Sequence, residues 1–175
     1  TSVDAKYLLF GKVFAGATAA IVQIGLILAS ALIGYNINHT YWGDKLDMIL
    51  KIPGSVLAGF AVFGIGGFLF YAFLYGAMGA LVSKTEDINK SAGTLQMLIM
   101  IVYFVVMFQL PTPDSVVMKI CSFLPFSSYS AMFVRIGMGS VTMAEIMTSA
   151  VILFVSTFAA GWLAAKIYRM GTLRY

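Results

Sequence analysis

Charged residues divide the sequence into five long uncharged runs, and the lengths of these runs limit the folds open to the chain. The runs have 23, 31, 23, 15 and 20 residues and cover Val13–Tyr35, Ile52–Val82, Ser91–Pro113, Ile120–Val134 and Ile146–Ala165. Because a bilayer core about 30 Å thick needs roughly 20 helical residues, four of the runs are long enough to cross it. The chain is 61% hydrophobic and only 10% charged, which excludes a water-soluble domain.

The fourth run is too short to cross and contains a proline. Fifteen helical residues reach only about 22 Å, and Pro125 divides the run. Since proline interrupts a helix, we predict two short helices, over about residues 116–138, that dip into the membrane and return. The predicted fold is all-α and integral to the membrane, with a re-entrant helical hairpin between the third and fourth transmembrane helices. The four helices are expected over about 13–35, 54–82, 91–112 and 144–168.

The positions of lysine and arginine predict the orientation. With the N-terminus in the cytoplasm, seven basic residues lie inside and four outside, which agrees with the positive-inside rule. Both ends of the chain are then cytoplasmic. Arg135 and Glu145 are both counted among the charges on the outer side. The net charge of +4 is attributed to this topology, and no nucleic-acid partner is expected.

The chain has few groups that could carry chemistry. Cys121 and His39 are the single cysteine and histidine, which excludes a disulfide framework and a cysteine or histidine metal cluster. The Gly11-Lys12 pair lacks the rest of a phosphate-binding loop. We therefore predict a chain that is not an enzyme, with no catalytic, cofactor-binding or metal-binding residues. Gln23 and Gln96 lie at membrane depth, where hydrogen bonding between helices is the favoured interpretation and lining of a substrate path the alternative.

Small residues recur at four-residue spacing in the second run, at Ala72, Gly76 and Ala80. Such a row lets a neighbouring helix approach closely. Packing within the chain is the favoured interpretation. A contact between subunits, or one used in gating, is the alternative.

Two polar segments border the predicted cytoplasmic face. Residues 2–12 predict a short interfacial helix capped by Ser2 or Asp4 and broken by Gly11 before the first span. Residues 83–93 predict a tight loop in which Thr85, Glu86 and Asp87 cap the third span. A solvated connection is the alternative for both segments.

Four segments carry a resemblance to a known family. They are "YLLFGKVFAG" at 7–16, "GALVSKTEDINKSAG" at 79–93, "LPFSSYSAMFVRIGMG" at 124–139 and "AAKIYRMGTLRY" at 164–175. In their order and spacing, the chain resembles the C-terminal membrane half of a permease from the type-2 ABC (ATP-binding cassette) exporter superfamily, and most of all its NatB-like sodium-exporter branch. Such permeases usually have six spans and a large extracellular domain. We therefore expect residues 1–175 to be a single transmembrane domain from a longer permease.

The resemblance implies partners and residue roles. It implies a multi-pass protein of a bacterial cell membrane, in contact with lipid, that pairs with a second permease copy or paralogue. Separate ABC ATPase subunits would bind ATP and Mg²⁺. Coupling to the ATPase would involve Asp4, Lys6, Tyr7, Leu8, Leu9, Gly11 and Lys12. Ser83, Glu86 and Asp87 would belong to a cytoplasmic gate loop, and the re-entrant segment with Pro125, Phe126 and Arg135 would cap the path from outside.

The function expected from this resemblance is that of a permease subunit in an ATP-driven exporter, with Na⁺ as the suggested cargo. Peptide, antibiotic or lipid cargo is the alternative within the same class. A membrane scaffold or sensor that transports nothing is the alternative from another class. The four long uncharged runs contain no carboxylate, which argues against a desolvated sodium site within them.

Overall fold

The computed structural model describes residues 5–37, 53–81 and 85–172, and most of these residues are helical. The helices are α1 Ala5–Ile37, α2 Gly54–Leu81, α3 Thr85–Phe108, α4 Val116–Phe123, α5 Ser128–Gly137 and α6 Met143–Thr172. Four of them, α1, α2, α3 and α6, are long and apolar enough to cross a membrane. The prediction of an all-α protein with four such helices is confirmed.

Helices α2 and α6 lie side by side and run in parallel. Gly66 of α2 faces Leu153, and further along the two helices Phe73 faces Gly161. A methyl group at Gly66 would lie 2.8 Å from Leu153 Cδ2, so the absence of a side chain there permits the close approach. These two helices form the centre of the bundle.

Helix α1 runs antiparallel to α2 and packs against it through its first turns. Leu9 and Val13 are buried, and the ring of Phe10 lies 5.3 Å from that of Phe73. The predicted break at Gly11 is wrong, because α1 is continuous from Ala5 to Ile37. Glycine in a helix interior costs only about 1 kcal/mol, and the buried neighbours on either side of Gly11 hold the helix together.

Helix α3 runs antiparallel to α2, and the Tyr75 hydroxyl donates a hydrogen bond to Gln96 Oε1 at 3.3 Å. Gln96 thus bonds between helices, as the favoured interpretation had it, whereas Gln23 is exposed on α1. The predicted loop over 83–93 is wrong for most of its length, because α3 begins at Thr85. Acidic residues near a helix start interact favourably with its dipole, which explains why the sequence after Thr85 is helical.

The segment between α3 and α6 is a helical hairpin, consisting of α4 and α5, with Pro125 in the turn between them. Helix α5 lies antiparallel to the first half of α2: Tyr129 packs on Gly67, and the Phe133 ring stacks on Phe60 at 3.8 Å. The Tyr71 hydroxyl donates a hydrogen bond of 2.6 Å to the Phe126 carbonyl in the turn. The apex of the hairpin therefore reaches about half-way along α2. Its insertion into a membrane stays a prediction.

These contacts define two ends of the bundle. At the first, which we call the α1 end, the starts of α1 and α3 meet the ends of α2 and α6. Lys12 Nζ of α1 lies 6.0 Å from the centre of the Tyr168 ring of α6 at this end. At the other, the hairpin end, the hairpin begins and ends beside the start of α6. The start of α1 and the end of α6 thus lie at the same end of the bundle.

Candidate functional site

Arg135, in the last turn of α5, is the largest fully buried side chain among the described residues. Its guanidinium group donates hydrogen bonds to Ser122 Oγ at 3.2 Å, to the Ser140 carbonyl at 3.0 Å and to Glu145 Oε1 at 3.0 Å. The contact with Glu145 is an ion pair in which the carboxylate side chain is 25% exposed. A buried guanidinium without such a partner would be strongly destabilising.

Local sequence positions Glu145 for this contact. Thr142 and Glu145 form a capping box at the start of α6, since the Thr142 N–H donates to Glu145 Oε2 at 2.9 Å and the Glu145 N–H donates to Thr142 Oγ1 at 3.3 Å. The turn before the box contains Gly139, whose φ of 68° favours glycine. The Ser140 N–H donates to the Arg135 carbonyl at 3.0 Å, which closes the turn.

Serine hydroxyls extend the cluster to α4. The Ser122 hydroxyl donates to the Met118 carbonyl at 2.8 Å, and the Ser149 hydroxyl of α6 donates to the Ser122 carbonyl. We call Ser122, Arg135, Ser140, Thr142, Glu145 and Ser149 the Arg135 network. Because it contains residues of α4, α5 and α6, it attaches the hairpin to the last long helix. The three helices are thus joined by polar contacts in addition to apolar packing.

Sequence reasoning missed this network. Arg135 was assigned to the re-entrant segment, but it and Glu145 were treated as separate charges outside the membrane, whereas the structure pairs them. The signal that could have found the pair is the Thr-x-x-Glu spacing at 142–145, which predicts a helix start and fixes the position of the carboxylate. The other re-entrant residues, Pro125 and Phe126, lie in the hairpin turn, where the Phe126 ring is 5.1 Å from that of Phe70.

The residues assigned to ATPase coupling lie at the α1 end, as far as the structure describes them. Tyr7 and Leu8 are 65% and 46% exposed, whereas Leu9 is 2% exposed and packs on Gly76. Gly11 and Lys12 are exposed. Asp4 lies outside the described residues, and of Lys6 only the helical backbone is described.

The residues assigned to the gate loop are less fully described. Glu86 and Asp87 belong to the first turn of α3, and their side chains lie outside the described residues, as does Ser83 altogether. The structure therefore places two of the three in a helix.

The row of small residues faces α1. Ala72, Gly76 and Ala80 line a groove of about 520 Å³ between α1 and α2, with Lys12 and Tyr168 at its side. Within this row Gly76 is packed closely, since a methyl group there would lie 2.6 Å from Leu9 Cδ1. Close contacts on α2 also occur outside the row, at Gly66 and Gly67. A methyl group at Gly67 would lie 2.6 Å from Tyr129 Cβ. The adjacent glycine pair is the signal in the sequence for that contact.

Among the described residues, no group of three or more histidine, cysteine, aspartate or glutamate side chains is placed to hold a metal ion.

Comparison with known proteins assigns the chain to a family. The model of the family described as ABC-2 family transporter protein matches residues 1–166. The chain belongs to the ABC-2 transporter family. The resemblance to type-2 ABC permeases is thereby confirmed at the level of the family. The ABC-2 family is the non-catalytic membrane component of ABC transporters. Membership of this family, together with four described helices of membrane length, makes the chain a multi-pass membrane protein.

Two relatives of the ABC-2 chain come from distant organisms. It is 23% identical over 172 residues to "Uncharacterized protein YhaP" of Bacillus subtilis, covering 95% of this chain and 41% of the relative. It is 28% identical over 175 residues to "Uncharacterized protein MJ1024" of Methanocaldococcus jannaschii, covering 98% of this chain and 40% of the relative. The ABC-2 chain thus spans about two fifths of the length of these relatives. No solved structure matches it.

Proposed function

We propose that this chain is the membrane-spanning part of a permease subunit in an exporter driven by a separate ABC ATPase, which binds ATP and Mg²⁺. Membership of the ABC-2 family and four helices of membrane length support this proposal. The proposal includes a second permease copy or paralogue, since the resemblance implies a pair. It also includes a bacterial cell membrane and cytoplasmic positions for both ends of the chain.

The observation that carries the proposal is the packing of the first turns of α1. Tyr7 and Leu8 present apolar surface at the α1 end, and the next residue, Leu9, is buried against Gly76 of α2. Because α1 is continuous through Gly11, a force on Tyr7 and Leu8 acts directly on the buried contact between α1 and α2. An ATPase that binds this surface would therefore move the spans without an intervening flexible joint.

The hairpin has the complementary role in this proposal. It enters the membrane from outside and closes the transport path at the hairpin end. The position of its apex supports this role, since Phe126 and Tyr129 contact α2 about half-way along that helix. Aromatic rings of the hairpin pack against α2, and serine hydroxyls bond α4 to α6. These contacts would hold the hairpin in place as a closed cap.

The substitution Leu8→Asp in the complete permease tests the coupling surface. A charged side chain there should abolish copurification with the ATPase and ATP-dependent flux in proteoliposomes, because it places a carboxylate in an apolar interface. Leu57→Asp is the matched control, since Leu57 is 51% exposed against 46% for Leu8 and lies at the hairpin end. The control should retain the ATPase.

Retention of the ATPase and of normal flux by Leu8→Asp would contradict the proposed coupling surface. Equal loss in both variants, with monodisperse protein on size-exclusion chromatography, would also contradict it. In that case the effect would not depend on which end of the bundle carries the charge.

Na⁺ is the proposed cargo, on the strength of the likeness to NatB-like permeases. Of the acidic side chains that the structure describes, Asp114 is exposed and Glu145 is paired with Arg135. A sodium path through the described helices would thus use neutral oxygen atoms. The same proteoliposomes, loaded with Na⁺, peptide or lipid cargo, identify the transported class. ATPase binding without flux of any cargo would favour a scaffold or sensor.

A further inference from the structure

The groove between α1 and α2 has the dimensions and lining of a ligand site. Its volume of about 520 Å³ falls within the range of roughly 300–1,000 Å³ that ligand sites occupy. Leu9, Val13 and Phe68 form apolar walls, and the small residues of α2 leave the space between them. At Gly79 an added methyl group would meet no atom within 4 Å, so this part of the groove is open.

A cation lies at the side of the groove. Lys12 Nζ is 6.0 Å from the centre of the Tyr168 ring, which is within the range of a cation–π contact. The ring limits where the lysine side chain can go and keeps its ammonium group near the groove. The groove thus combines an apolar interior with a positioned positive charge.

The other charged side chains described at the α1 end have the same sign as Lys12. The basic residues whose side chains are described there are Lys12, Lys90, Lys166 and Arg169. The acidic residues whose side chains are described, Asp114 and Glu145, both belong to the hairpin end. The charged side chains that the structure describes at the α1 end therefore favour an anionic ligand.

We propose that this groove binds an anionic phospholipid, with an acyl chain between α1 and α2 and the phosphate at Lys12. The walls belong to helices of membrane length, so acyl chains are the apolar groups available to fill them. Lysine side chains near helix ends extend toward the headgroup region, and basic pockets between transmembrane helices bind anionic headgroups. A zwitterionic lipid offers the same acyl chains, but its amine offsets the charge of its phosphate.

Native mass spectrometry of the purified complete permease, without the ATPase, tests this site. Phosphatidylglycerol and phosphatidylcholine with the same acyl chains serve as the probes. Wild type should bind phosphatidylglycerol more tightly, and Lys12→Gln should reduce that affinity about fivefold while leaving phosphatidylcholine unchanged. Lys12→Arg should retain the preference because it keeps the charge.

Lys166→Gln is the matched control. Lys166 Nζ lies 5.5 Å from the Trp162 ring at the same end of the bundle, and Trp162 lines a different groove. This variant should therefore keep the preference for phosphatidylglycerol. Gly79→Leu, which fills the open part of the groove, should weaken the binding of both lipids.

Equal affinities of wild type for the two lipids would overturn the proposal. So would unchanged binding in Lys12→Gln, or equal losses in Lys12→Gln and Lys166→Gln, since the effect would then come from general surface charge. Unchanged lipid binding in a folded Gly79→Leu variant would contradict the proposed position of the acyl chain in the groove. None of these measurements involves ATP, so their outcome is independent of the proposed export function.

Discussion

At the scale of single residues, the ion pair of Arg135 and Glu145 has a structural role at the hairpin end. Arg135 is fully buried, and its guanidinium group has partners on α4, in the turn after α5 and on α6. Its Nε atom is buried without a hydrogen-bond partner among the described residues. Removing either member of the Arg135–Glu145 pair therefore has different consequences from removing both.

Glu145→Leu should destabilise the protein by about 3–5 kcal/mol, because it leaves the buried Arg135 charge uncompensated. The double variant Arg135→Leu/Glu145→Leu should recover a large part of that loss, since no buried charge remains. Chemical unfolding of the purified permease in detergent measures the free energies. If the double variant lost as much unfolding free energy as Glu145→Leu and Arg135→Leu lose together, the pair would have no coupling energy.

The Arg135 network also shows where sequence reasoning was insufficient. Proline at 125 and the length of the fourth run predicted two short helices, and α4 and α5 agree with that pattern. The pairing of Arg135 with Glu145 depends on the turn through Gly139, which brings residues ten positions apart together. Counting charges by membrane side assigns both residues to the same side of the membrane but says nothing about their contact.

At the scale of helices, α2 is packed on several faces and glycine determines how closely. Gly66 and Gly67 receive Leu153 of α6 and Tyr129 of α5, and Gly76 receives Leu9 of α1. The length of the second uncharged run predicted α2, because 31 uncharged residues are more than enough for one transmembrane helix. They could not predict its neighbours, because adjacent glycines fit several helix pairs equally well. Only the packed structure distinguishes them.

Gly67→Ala should destabilise the protein by about 1–3 kcal/mol, because the new methyl group would lie 2.6 Å from Tyr129 Cβ, an atom close to the backbone. Gly64→Ala is the control on the same helix. A methyl group there meets nothing within 4 Å, and alanine favours the helix. Thermal unfolding of both variants in detergent checks the difference. Equal melting temperatures would contradict the tight contact between α2 and α5.

At the scale of the whole molecule, the two ends of the described bundle carry different features. The α1 end carries the exposed apolar residues Tyr7 and Leu8 and the lipid groove, and the hairpin end carries the Arg135 network. The sequence rule for lysine and arginine predicts that the α1 end is cytoplasmic.

Cysteine labelling in whole cells tests this orientation. In a Cys121→Ser background, Asp114→Cys at the exposed turn before α4 should react with a membrane-impermeant thiol reagent. Gly11→Cys, which is exposed at the α1 end, should react only after the cells are opened. The reverse pattern would invert the topology, and with it the compartment of the ATPase.

The turn at Pro125 determines whether the chain crosses the bundle an even or an odd number of times between α3 and α6. A hairpin that returns to the end from which it started adds no crossing, so α3 and α6 traverse the bundle in opposite directions, and α6 comes to run alongside α2. Had residues 116–137 continued straight across, the final helix would point the other way. The contact of Leu153 with Gly66 and that of Gly161 with Phe73 could then not both form. The end of α6 would also lie at the hairpin end of the bundle and not at the α1 end. One proline thus helps to decide the direction of a helix that begins eighteen positions later.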